Sequence, residues 1–167
     1  MPWLFRDDVD RLEFLRRLAG ATSKTRWTCL AYCLMRSHYH LIVRVDHGLL
    51  PVAMHALNLP YAKHYNRRHG LRGHVLFGRY GARRISDELD LLDTFSYLAQ
   101  NPVEAGLCSE AAEYPWSSYA GTVGVCEPAS FVDPSCILSC LGQLASDPIA
   151  ALRRRVERPV PGTGRLT

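Results

Sequence analysis

The sequence predicts an α+β domain built on an antiparallel sheet with helices on one side. Apolar residues recur at helical spacing in three stretches and crowd into strand-like runs between them, in the order helix, strand, strand, helix, strand, helix. The first two strand-like runs are separated only by a tight Arg36-Ser37 turn, so they pair as an antiparallel hairpin. With 167 residues, 47% hydrophobic and 22% charged, the chain has the size and composition of one domain with its own core.

The elements follow in order. Asp7 or Asp8 caps a helix in which Val9, Leu12, Phe14, Leu15 and Leu18 recur on one side, with a stop expected near Gly20. Trp27 to Leu34 is aromatic and apolar and reads as a strand; His38 to Val45 is its partner. Gly48 opens a loop, and a helix runs from Leu50 to about Arg68, tolerating Pro51 in its first turn. Pro60 inside it predicts a kink or a late start, and Gly70 and Gly73 mark the stop. Leu76 to Ile85 reads as a third strand, weakened by Gly78 and Gly81. Ser86 caps a helix from Asp87 to Gln100 or Asn101, which Pro102 is expected to end. A short helix is expected between Pro134 and Leu144, and residues 126–158 form a helical extension. The tail, residues 159–167, is rich in proline and glycine and reads as disordered.

Composition narrows the function. No apolar run approaches the roughly 20 residues that span a bilayer, and the first residues lack the pattern of a signal peptide, so a cytoplasmic protein with no membrane partner is expected. The six cysteines then read as reduced thiols packed in strands and helices rather than as disulfides or a zinc site. The net charge of +4 permits nucleic-acid binding without requiring it. Its distribution is more informative. Lys63, Arg67, Arg68 and Arg72, then Arg79, Arg83 and Arg84, form a stretch without a carboxylate until Asp87, and a second basic knot lies at Arg153-Arg154-Arg155. His64, Tyr65 and Tyr80 lie among them as candidates for stacking on unpaired bases.

Two segments carry the chemistry. His38 and His40 flank Tyr39 in an apolar run, and strand periodicity places both imidazoles on one face. Tyr97 and Asn101 are four apart on a helix and therefore neighbours on its surface. Each pair alone has an ordinary structural reading, as packed histidines, a core tyrosine and a helix terminator. Together they combine neutral metal donors with a phenol, which as a nucleophile needs assistance at neutral pH.

The chain resembles the HUH single-tyrosine transposases, in the branch of REP-associated tyrosine transposases. The likeness is carried by Phe5-Arg6-Asp7-Asp8-Val9-Asp10-Arg11-Leu12-Glu13-Phe14-Leu15, by Leu34-Met35 before His38-Tyr39-His40-Leu41, and by Gly78-Arg79-Tyr80. It continues in Tyr97 to Leu107 and in Tyr114-Pro115-Trp116-Ser117-Ser118-Tyr119. The resemblance implies a ferredoxin-like HUH nuclease fold over residues 1–125 and cleavage and rejoining of single-stranded DNA beside a hairpin, through a 5′-phosphotyrosine. It implies Tyr97 as nucleophile, and His38, His40 and Asn101 as ligands of Mg²⁺ or Mn²⁺. Lys63, Arg67, Arg68, Arg79, Tyr80, Arg83 and Arg84 would contact DNA, Arg79 foremost because it stands in a matched motif. A homodimer is one arrangement left open.

The chain departs from the family in three places. Members begin with a strand resembling Tyr-His-Val-Thr-x-Arg-Gly-Asn, which has no counterpart ahead of the Phe5-Arg6-Asp7-Asp8 segment; a late start or a decayed copy is expected. The turn before the first histidine is Arg36-Ser37 rather than Pro-Asn, and Gly81 follows Tyr80 where lysine is common. Two rival functions are a truncated or domesticated relative that binds nucleic acid without chemistry, and a histidine-ligated metal hydrolase. The hydrolase lacks an obvious carboxylate near His38.

Overall fold

The computed structural model of the chain describes residues 3–46, 48–76, 80–142 and 145–157. Helix α1, Asp8–Lys24, starts where Asp7 accepts the Asp10 N–H at 3.1 Å. It does not stop at Gly20. The stop comes at Thr25, whose N–H and hydroxyl both return to the Ala21 carbonyl. Strand β1, Trp27–Leu34, and strand β2, Tyr39–Val45, form the antiparallel hairpin, closed where Met35 N–H donates to the His38 carbonyl at 2.9 Å.

Within β1 one residue is extra. Cys29 pairs with Val43 and Ala31 with Ile42, leaving Leu30 as a bulge. The bulge reverses the phase of the strand. Trp27 and Cys29 lie in one buried cluster, Leu30 and Ala31 both lie in the other, and alternation then resumes through Leu34. Both faces of the hairpin are therefore covered, which corrects the expectation of helices on one side. Helix α1 and helix α2, Leu50–His69, cover the face bearing Tyr39, Leu41, Val43 and Val45. Helix α3, Glu88–Glu104, packs on the face bearing Ile42, together with α5, Ser135–Gly142, and α6, Pro148–Glu157. The near-continuous apolar run of β1 is what a strand buried on both faces requires.

Helix α2 runs unbroken through Pro60. An interior proline removes one backbone bond and costs about 3 kcal/mol. Burial of Met54, Leu57, Tyr61 and Tyr65 offsets it, and Gly70 closes the helix at φ 63°. Nor does Pro102 end α3, which continues to Glu104. Leu107 N–H donates to the Pro102 carbonyl at 2.8 Å and Gly106 N–H to Val103 at 2.9 Å, a Schellman closure with Gly106 at φ 68°. The expected strand over 76–85 is absent from its described part: residues 80–85 join no ladder.

The Trp-Ser-Ser-Tyr string closes the free edge of β1. Leu34 N–H donates to the Trp116 carbonyl at 2.8 Å, Ser118 N–H to Tyr32 at 3.0 Å, and the Tyr114 hydroxyl to Leu34 at 2.7 Å. Helix α4, Tyr119–Thr122, follows directly. Farther along the same edge, Asp133 N–H donates to the Cys29 carbonyl at 2.9 Å. The expected C-terminal extension is part of the core, because Ile137, Cys140, Leu141, Leu152 and Val156 pack in one cluster with α3 and β1. All six cysteines are free thiols. The tail expected to be disordered lies outside the described residues. Among those residues no helix is long and apolar enough to cross a membrane.

Candidate active site

The hairpin and α3 bring together the four residues expected to carry the chemistry. Strand alternation puts His38 and His40 on the same side as Ile42, the side on which α3 packs. Helix α3 buries Leu91, Leu92, Phe95, Leu98, Ala99 and Pro102, leaving Tyr97 and Asn101 half-buried on its flank. The Tyr97 ring stands edge-on to His40, with centroids 5.9 Å apart and planes at 82°.

The two imidazoles face each other through Nε2, 3.1 Å apart. Two ligands bound at about 2.1 Å and at right angles to each other around an octahedral ion lie about 3.0 Å apart, so the pair fits neighbouring corners of such a site. Ser37 Oγ lies 3.1 Å from His38 Nδ1. If Nδ1–H donates to that oxygen, the His38 Nε2 lone pair faces His40.

Asn101 completes the set. Its Nδ2 donates to the Tyr97 carbonyl at 2.6 Å, which leaves Oδ1 as the amide atom able to accept a proton or bind a cation. Burial holds His40 down to about 4, the neighbouring His38 adds to that, and Asn101 acts in the opposite sense. Burial lowers His38 as well. Neutral imidazoles are the form that binds metal. Among the described residues no three His, Cys, Asp or Glu side chains are grouped to hold an ion; the third candidate donor, Asn101, is an amide. The donor set suits a divalent ion that retains its charge for a phosphate.

The site depends on residues not singled out in the sequence. Tyr39, between the two histidines, points to the opposite face, where its hydroxyl donates to Asn58 Oδ1 at 2.7 Å and its ring lies 4.6 Å from Phe14. This anchor fixes the strand segment that presents both imidazoles. Alternation signalled the direction of Tyr39, but no local pattern marked Asn58.

The basic residues divide into two groups. Lys63 and Arg67 are exposed on α2, and Arg84 and Tyr80 are exposed ahead of α3. Arg68 is instead held by two carboxylates, Asp7 at 2.7 Å and the buried Asp10 at 2.5 Å, and Arg83 is held by Asp90 at 2.6 Å and by Thr94. Arg79 lies outside the described residues. Tyr65 and His64 are not placed to stack on bases: Tyr65 is 3% exposed and donates to the Trp3 carbonyl, while His64 lies 3.6 Å from Glu13. In the second basic knot, Arg155 pairs with Asp93 and Arg153 donates to the Val123 carbonyl.

Compared with family models, with curated proteins and with solved structures, the chain matches none.

Proposed function

We propose that this protein is an HUH-type single-tyrosine strand transferase acting on single-stranded DNA beside a hairpin, within a ferredoxin-like HUH domain. The observation that carries the proposal is the convergence of His38, His40 and Asn101 beside Tyr97, from elements some sixty residues apart in sequence. The Tyr97 oxygen attacks the scissile phosphorus in line. The P–O3′ bond breaks, the 3′ oxygen leaves and becomes a hydroxyl, and the downstream strand remains attached as a 5′-phosphotyrosine. The P–O(Tyr) ester formed replaces the P–O3′ ester broken and retains its energy, so a second 3′-hydroxyl can attack the phosphorus and release the tyrosine. His38, His40 and Asn101 would hold Mg²⁺ or Mn²⁺, which when bound supplies positive charge to a non-bridging phosphate oxygen. Of the basic residues expected to contact DNA, Lys63, Arg67 and Arg84 are exposed and available to the DNA backbone.

The test uses a hairpin oligonucleotide labelled at its 5′ end in one sample and at its 3′ end in another, incubated with protein and Mn²⁺ and run on a denaturing gel. The expected result is a protein-linked band carrying only the 3′ label, absent with chelator and in Tyr97→Phe. DNA binding without any adduct would contradict the proposal and favour a binding module without chemistry.

A further inference from the structure

At the far end of the hairpin from the histidines, the C-terminus of α1 and the two strand ends enclose an open cleft of about 440 Å³. Lys24, Arg26 and Arg44 line it against a single acid, Asp46. Lys24 and Arg26 are exposed and form no ion pair among the described residues. Arg44 has only a long contact to Asp133, 3.9 Å, with its own side chain 61% exposed.

A helix C-terminus ordinarily repels an anion, and here that end is partly neutralised. Thr22 Oγ1 donates to the Ala19 carbonyl and Thr25 Oγ1 to Ala21, at 2.9 and 2.8 Å. These hydroxyls are thereby committed, and the three cations remain the charged side chains free to reach an anion. Trp27 also lines the cleft. It is 5% exposed, and its indole N–H is buried without an acceptor among the described residues. That N–H is itself enclosed with no surface open to the cleft, so Trp27 forms part of the cleft wall rather than a donor to a ligand.

We propose that this cleft is a second phosphate-binding site, taking the backbone phosphates of a single-stranded nucleic acid whose scissile bond lies at the histidines. Arg44 and His40 are four residues apart on β2, about 14 Å along the strand, and alternation gives them the same face of the hairpin. A nucleic-acid strand reaching from one to the other, around the α3-covered Ile42 between them, spans at least two or three nucleotides and brings a phosphate over the cleft. The ligand assignment rests on the strand-transfer activity proposed above; the cleft's chemistry, an anion held by three cations, does not.

The experiment measures binding of a labelled oligothymidylate by fluorescence anisotropy over a salt series, for the wild type and for a Lys24→Gln/Arg26→Gln double variant. Both side chains are exposed, and an unchanged thermal midpoint confirms that the variant folds. The slope of log K against log salt is expected to fall in magnitude by about 1.4 in the variant, for two phosphates no longer neutralised on a single strand, with affinity lower by on the order of tenfold. In parallel, the indole N–H resonance of Trp27, assigned with Trp27→Phe, is expected to shift on adding the oligonucleotide. Equal slopes and a still indole resonance, with wild-type binding intact, would overturn the second site and leave the strand-transfer proposal standing. A shift with inorganic phosphate and none with the oligonucleotide would overturn the nucleic-acid assignment in favour of a free-phosphate site. No oligothymidylate binding by the wild type would overturn the second site, while the strand-transfer proposal stands or falls separately on the adduct formed with hairpin DNA.

Discussion

At the scale of single residues, Asn101 does two things with one amide. Its nitrogen is committed to the Tyr97 carbonyl, which leaves its oxygen as the amide atom able to bind a cation. Asn101→Ala is therefore expected to weaken Mn²⁺ binding by roughly 10- to 100-fold, the usual cost of removing a supporting donor. Calorimetric titration of the folded variant checks this, and an unchanged affinity would remove Asn101 from the ligand set. Tyr61 offers a simpler case: its hydroxyl donates to the Leu4 carbonyl at 2.6 Å inside the core. Tyr61→Phe should cost about 1 kcal/mol or somewhat more, because the buried carbonyl loses its partner; a denaturant titration with no shift in midpoint would contradict that. The pairing of the four candidate residues was legible because each pair obeys a local period, two on a strand and four on a helix, while the roles expected of them came from the family resemblance. Their convergence was not legible, since it depends on which face of the hairpin α3 covers.

Among the elements, α3 shows why proline is a poor boundary marker on its own. Pro102 stands in the last turn, where the missing N–H costs one bond, and the termination is set by Gly106 four residues later. Nothing lies within 4 Å of a Cβ built at Gly106, so substitution there meets only a conformational penalty at φ 68°. Gly106→Ala is expected to lower stability by about 1 kcal/mol with little change in the site. A larger loss in urea unfolding would point to a packing role absent from the structure. Strand β1 teaches a related lesson. Its near-continuous apolar run fits burial on both faces, where helices on one side were expected, and the bulge at Leu30 that turns consecutive residues to the same side has no sequence mark. In the described part of the expected strand over 76–85, residues 80–85 join no ladder, and Gly81 weakens a pattern that local propensity alone had to sustain.

For the whole molecule, the two helical layers are joined through the hairpin and the ionic contacts cluster in the α1–α2 layer. Glu13 is held by Arg16 first, then by Arg17, and its carboxyl is lowered to about 2 against an ordinary value of 4.5. Because the folded value is depressed, this stabilisation is fully present above pH 4.5 and is lost as pH falls from there toward 2. Glu13→Gln should therefore show a flatter decline of stability across that acid window than the wild type. Parallel pH profiles of the two would exclude Glu13 as a contributor. Arg68, clasped by Asp7 and Asp10, belongs to the same structural layer, so the basic cluster read from the sequence is partly scaffold and partly free surface. Charge counting in a sequence cannot separate the two, since the partners of Arg68 lie some sixty residues away.

The measurement that bears most directly on the proposed chemistry is mass spectrometry of the protein after incubation with hairpin DNA and Mn²⁺, followed by nuclease trimming and proteolysis. A nucleotide phosphate attached to Tyr97, and to neither Tyr114 nor Tyr119, is the predicted result. A DNA adduct on another residue, or DNA cleaved with no adduct on the protein, would contradict the assignment of Tyr97 as the nucleophile.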